Sequence, residues 1–264
     1  MLKDITIGQY IPGESVIHKL DPRTKIITLF FYVIALFMLD SLSGFAGILL
    51  LTVAVIILSR IPLIVIIRGL KPLWLILVLT LTFHLFLTQG DIIWQWGVFK
   101  ITLQGMRQGI FMTMRLVCLV AITSLLTLTT TPILLTDGIE RVLKALFIPV
   151  AHELAMMMTI ALRFIPTLIE ETEKIMKAQM ARGADFDTGG ILARAKSLIP
   201  LLVPLFLSSF RRADELAMAM EARCYRGGDN RTRMKQLILV RRDYLAFIIS
   251  FSFLLISIYT RYWM

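Results

Sequence analysis

Five stretches of this chain carry almost no charge over lengths that water does not tolerate on a surface. Ile26–Leu39 (IITLFFYVIALFML) has none, nor has 41–59, and 72–90 carries only His84. Residues 116–136 and 244–260 are likewise free of Asp, Glu, Lys and Arg. A bilayer core needs roughly 17–25 apolar residues per helical crossing. Backbone N–H and C=O groups inside lipid must pair within their own segment, so each crossing is read as an α-helix. The expectation is five transmembrane helices, at about 24–42, 41–59, 72–90, 110–131 and 244–260. The first is helped by its flanks, and the third opens after Lys71-Pro72, where proline suits a first helical turn.

Composition agrees. Charged residues are only 17% of the chain, too few to cover a water-soluble globule, which carries about a quarter. The first 25 residues hold no apolar core of a secretory signal. The net charge of +10 does not point to nucleic acid, because no aromatic stacking residues are interleaved with the basic ones. It is distributed as the positive-inside rule requires. With the N-terminus in the cytoplasm and the C-terminus outside, 24 of the 28 Lys and Arg fall on inner segments.

Those inner charges concentrate in residues 132–243, which divide the chain into an N-terminal membrane domain (1–131), a cytoplasmic or interfacial block (132–243) and a final membrane helix (244–264). Thr131-Pro132 ends the fourth span, and Asp137 with Glu140 offers a capping pattern for a helix through Leu146. A Met-rich stretch, ELAMMMTIALRF, then runs to Pro166. Beyond it an amphipathic helix sets Ile169, Thr172, Met176 and Met180 on one stripe, with Glu170/Lys174 and Glu173/Lys177 as i,i+4 pairs. The apolar LIPLLVPLFLSSF is interrupted by Pro200 and Pro204. It feeds a second amphipathic helix with Phe206, Phe210, Ala213, Ala217 and Met220 on one face. The fold class is therefore an all-α polytopic membrane protein, five spans plus a cytoplasmic-side domain of amphipathic helices.

Catalytic constellations are missing from the sequence. No G-x-x-x-x-G-K-[ST] loop occurs. His152-Glu153 begins like a zinc-protease helix, but Met156 stands where its second histidine belongs. His18, His84 and His152 are scattered, and Cys118 and Cys224 form no ligand set, so no metal site and no cofactor is called for. His84 and Arg115 are ionisable groups in membrane runs, read as lying near the outer interface rather than at a buried site.

What remains is a repeated ending. AQMARGAD closes the first amphipathic helix and AMEARCYRG the second, 41 residues apart. A cation at a helix C-terminus meets the negative end of the dipole, and Gly183 suits a left-handed cap. Local capping could explain one copy. Two copies on the inner side, each with a small residue before the arginine, fit insertion of a planar five-donor head into a partner's groove.

These residues resemble the transmembrane T component of energy-coupling factor (ECF) transporters, vitamin and micronutrient importers of the ABC superfamily. The likeness rests on GQYIPGESVIHKLDPRTK at 8–25, on the central block from TTTPILLTDGIERVLKAL to MKAQMARGADF, and on EARCYRG. It looks closest to the shared-module type, in which one T component serves several substrate-binding S components. The resemblance implies a non-catalytic, multi-pass subunit of the prokaryotic cell membrane, partnered by two ABC-type ATPase subunits, membrane-embedded S components and the lipid bilayer. It assigns ATPase docking to Ala181, Arg182 and Gly183 and to Ala222, Arg223 and Cys224, where Cys224 departs from the family's usual glycine and pays a steric cost at positive φ. The apolar stripes, Ile169, Met176 and Met180 with Phe206, Phe210 and Met220, are expected to face the S component. Competing readings are a self-contained secondary transporter, which lacks a midplane Asp or Glu pair here, and a membrane scaffold unrelated to ATP.

Overall fold

A computed structural model describes residues 10–39, 42–96, 99–184, 186, 190, 197–228 and 236–263. Helices dominate: α1 Pro22–Met38, α2 Leu42–Ser59, α3 Leu63–Leu70, α4 Trp74–Leu87, α5 Leu103–Thr129, α6 Pro132–Ala145, α7 Ala151–Ala181, α8 Ile199–Ala222 and α9 Arg241–Trp263. An antiparallel hairpin, β1 Ile92–Trp96 and β2 Phe99–Thr102, joins α4 to α5. The chain is thus the all-α membrane protein expected. It forms two compact units, one within Gly8–Ile139 and Gln236–Met264, the other within Glu140–Lys235.

In the first unit α5 is the hub, with α1, α2, α3 and α4 packed on it and α9 laid along α1. Tyr32, Leu36, Leu39, Ile48 and Cys118 form one buried cluster. Ile61, Ile66, Ala121, Leu125 and Leu128 form a second. Outside these seams the helices present Leu50, Ile57, Leu75, Leu87 and Ile248 to the surroundings, as expected where the solvent is lipid and association relies on close packing and polar contacts. Close packing is visible at Gly105 and Gly109, spaced four apart on α5. A Cβ at Gly105 would stand 2.5 Å from the His84 carbonyl oxygen, and one at Gly109 3.2 Å from Leu81 Cδ1.

A polar stitch holds the ends of three helices. Asp21 caps α1 by accepting the Arg23 N–H at 2.9 Å. Buried Asp243 accepts the N–H groups of Asp21 and Val240, both at 2.8 Å, the second of which closes the start of α9. Lys25 donates to the Thr129 carbonyl at 2.9 Å and to Thr130 Oγ1 at 3.1 Å, a cation on the negative end of α5. These contacts give DPRTK a structural reason.

Several boundaries differ from the sequence reading. By length and apolarity, Leu63–Leu87, Leu103–Thr129, Ala151–Ala181 and Arg241–Arg261 could each cross a membrane, with Gly44–Ser59 a shorter apolar helix. The third span does not open after Lys71-Pro72: α3 runs on into α4 through a 3-10 turn at Lys71–Leu73. Pro72 has no N–H to give the Arg68 carbonyl, and the Lys71 N–H donates to that carbonyl instead. α6 starts at Pro132, not at Asp137, with Thr131 Oγ1 accepting the Leu134 N–H at 3.4 Å. Asp137 and Glu140 lie inside it. Pro166 does not separate two helices, since α7 is continuous for 31 residues. Nor does Pro204 interrupt α8. A proline leaves the carbonyl four residues back without its helical donor. For Pro204 that carbonyl belongs to Pro200, and Gln179 Nε2 donates to it at 3.2 Å.

Candidate functional site

Both Ala-Arg endings lie in the second unit, and they are built alike. Arg182 ends α7 at φ −89°, ψ 6°, and Arg223 ends α8 at φ −92°, ψ 13°. At the first, the Gly183 N–H donates to the Met180 carbonyl and the Ala184 N–H to the Gln179 carbonyl, both at 3.0 Å. At the second, the Cys224 N–H donates to Glu221 at 2.8 Å and the Tyr225 N–H to Met220 at 3.0 Å. Position for position this is the Schellman cap, in which two bonds satisfy carbonyls that a helix end leaves open.

The cap requires a left-handed residue after the arginine. Gly183 fills it at φ +89°. Cys224 adopts it too, at φ +56°, so its Cβ strains the second cap without breaking it. In each ending the residue before the arginine, Ala181 or Ala222, is exposed, as are Arg182, Arg223, Gly183 and Cys224. Both arginines are therefore exposed residues on hydrogen-bonded helix ends.

α7 and α8 pack against one another. Gln179, near the end of α7, meets Pro200, near the start of α8, while Glu171 Oε2 accepts from Arg212 Nη2 at 2.9 Å. As one number falls the other rises, so the helices are antiparallel and the arginines stand at opposite ends of the pair. α8 alone, at 24 residues, is about 36 Å long. One partner pocket could not hold both tips. Glu171 and Arg212 are themselves 41 apart, each eleven residues before its tip, so the internal repeat extends into the packing.

The apolar stripe divides. Met180, Phe206 and Phe210 are exposed, at 48%, 65% and 56%, and the two phenylalanine rings meet edge to face at 4.7 Å. Ile169, Met176 and Met220 are half-buried. His84 lies in the last turn of α4. Arg115 donates to the Leu39 carbonyl at 2.7 Å and lies over the Phe37 ring.

The carboxylate partner of His152 was missed from sequence. It is not the adjacent Glu153 but Glu140, twelve residues earlier on α6, with Nδ1 to Oε1 at 3.1 Å. Glu140 is 3% exposed and also meets Lys144 at 3.1 Å. The other ring nitrogen, Nε2, is 3.3 Å from the Tyr225 hydroxyl. No periodicity signals a contact across a helix–helix turn. Among the described residues no three His, Cys, Asp or Glu side chains gather to hold a metal ion.

Comparison with known proteins gives this architecture a family. The model of the family described as cobalt transport protein, CbiQ, matches residues 13–234. The energy-coupling factor transporter transmembrane protein EcfT of Thermosediminibacter oceani is 60% identical over 250 residues, covering 94% of each chain. That of Clostridium kluyveri is 53% identical over 268 aligned positions, covering 100% of this chain and 99% of its own. The Bacillus subtilis protein of the same name is 51% identical over 247 residues, covering 92% of this chain and 93% of its own. With the match spanning nearly the whole length, this chain belongs to the family of energy-coupling factor transporter transmembrane proteins.

Proposed function

We propose that this chain is a mechanical adaptor: two ATPase subunits grip Arg182 and Arg223, and their ATP-driven motion passes through α7 and α8 to a membrane-embedded substrate-binding S component. The observation that carries the reading is the pair of matched Schellman caps, each ending in an exposed arginine, at opposite ends of one antiparallel helix pair. Two similar partners, one per tip, fit that arrangement. Ala181 and Ala222 keep the approach open, and Gly183 and Cys224 turn the chain away from the guanidinium. Arginine supplies five donors in a rigid fork, suited to carbonyls and carboxylates lining a groove.

In this reading residues 132–243 form the coupling domain between 1–131 and the closing helix 244–264, on the cytoplasmic side. The N-terminus is inside and the C-terminus outside, as the Lys and Arg distribution favours. The exposed Phe206–Phe210 pair and Met180 belong to the surface offered to the S component, together with the half-buried Ile169, Met176 and Met220. ATP moves the assembly only if the two ATPase states hold the tips differently. The chain contributes no chemistry of its own.

The test is co-purification of two P-loop ATPases with the full chain, alongside ATP-driven uptake. Loss of a central arginine anchor costs roughly 30-fold or more in affinity. The double variant Arg182→Ala, Arg223→Ala should therefore release both ATPases and abolish uptake, while an isolated S component still binds its substrate. Normal uptake by the double variant would refute the proposal.

A further inference from the structure

We propose that His152 is a positioning residue for the second arginine tip, clamping it through Tyr225; the proposal rests on the docking reading of Arg223. Tyr225 has two roles within one residue. Its N–H closes the cap on α8, at 3.0 Å from the Met220 carbonyl. Its hydroxyl lies 3.3 Å from His152 Nε2. The ring is held in turn by Glu140 Oε1, 3.1 Å from Nδ1. One neutral tautomer satisfies both contacts: Nδ1–H donates to the carboxylate and Nε2 accepts from the Tyr225 hydroxyl. Glu140 is buried against Lys144, so the base of the clamp is itself fixed.

The backbone completes the enclosure. A Cβ at Gly228 would collide with the His152 ring at Cδ2 and Cγ, so the chain leaving the tip runs flush across the imidazole. The residues that follow Arg223 are therefore pinned at Cys224 and Tyr225 by cap bonds, at the Tyr225 hydroxyl by His152, and at Gly228 by contact with the ring. The strained Cys224 sits one residue before Tyr225, at a tip with this external support. His152 thus acts through Tyr225 to hold the aim of Arg223, and the site serves the same partner as the tip.

The exposed Cys224 provides the probe. In a Cys118→Ser background, a spin label on Cys224 of the full chain in nanodiscs reports order at the second tip. A reference label at Ala184→Cys, with Cys224→Ser, reports the first. Tyr225→Phe removes one oxygen and should raise the mobile fraction at 224 by about threefold, the worth of a modest hydrogen bond, with no change at 184. His152→Ala, which also removes the ring beside Gly228, should give at least that rise, and adding Tyr225→Phe to it should give no more, since the hydroxyl has then already lost its histidine contact. An unchanged label at 224 in Tyr225→Phe, or an equal rise at 184, overturns the clamp.

ATPase capture by the unlabelled chain should fall about threefold in Tyr225→Phe, following the same bond. Mobility gained without loss of capture, where Arg223→Ala does lose it, overturns the positioning role. If Arg223→Ala keeps full capture, the docking reading falls, and the mobility result still decides the clamp.

Discussion

Replacing Cys224 by glycine should make the second arginine tip more stable, although it removes a side chain. The two caps make the same pair of hydrogen bonds, and their arginines share nearly the same φ and ψ. The residue in the left-handed position distinguishes them: Gly183 at φ +89°, Cys224 at φ +56°. An L-residue there costs about 1–2 kcal/mol, because its Cβ crowds a carbonyl oxygen. Glycine avoids this but has more unfolded freedom to lose, which returns about 0.4–1 kcal/mol. The net gain is then roughly 0.7 kcal/mol, about a threefold shift in the local opening equilibrium. Amide hydrogen exchange reads that equilibrium directly. The Tyr225 N–H, bonded to the Met220 carbonyl, should exchange about threefold more slowly in Cys224→Gly. Gly183→Ala is the mirror experiment. Nothing lies within 4 Å of the added Cβ, so its cost is backbone strain alone, and the Ala184 N–H should exchange faster. Unchanged or faster exchange at Tyr225 in Cys224→Gly would refute the strain argument.

Two further substitutions probe the membrane unit. Gly105→Ala sets a Cβ against a backbone carbonyl at 2.5 Å and should cost about 1–3 kcal/mol in detergent unfolding, whereas Gly109→Ala, facing the end of the Leu81 side chain, should cost less; the reverse order would refute close helix crossing at Gly105. Lys25→Met removes the donor from the end of α5 and leaves the buried Thr130 hydroxyl and Thr129 carbonyl short of a partner, a loss of about 1–3 kcal/mol measured the same way.

The legible parts of this protein were those written in local spacing. Uncharged runs of helical length announced membrane helices, because no other structure satisfies the backbone in lipid. Gly183 after Arg182 announced a left-handed cap. Proline accounts for most differences between local pattern and structure: positions 72, 166 and 204 read as boundaries, yet helical structure runs through each. Proline costs a helix one hydrogen bond, and whether that ends it depends on who else can serve the freed carbonyl. For Pro204 the donor is Gln179, on the preceding long helix. The hairpin at 92–102 was also unforeseen, since its strands are short.

The site divides along the same line. The sequence alone determined an all-α membrane protein with two arginine-tipped helix ends, because apolar run length and capping chemistry act within one or a few turns. Only the tertiary structure decided that the tips stand at opposite ends of an antiparallel pair. It alone showed that Cys224 keeps the glycine conformation, and that His152 answers to Glu140 and Tyr225 rather than to its neighbour Glu153. Those facts depend on which surfaces meet after folding, and contacts 12 and 73 residues apart in the chain leave no periodic trace in it.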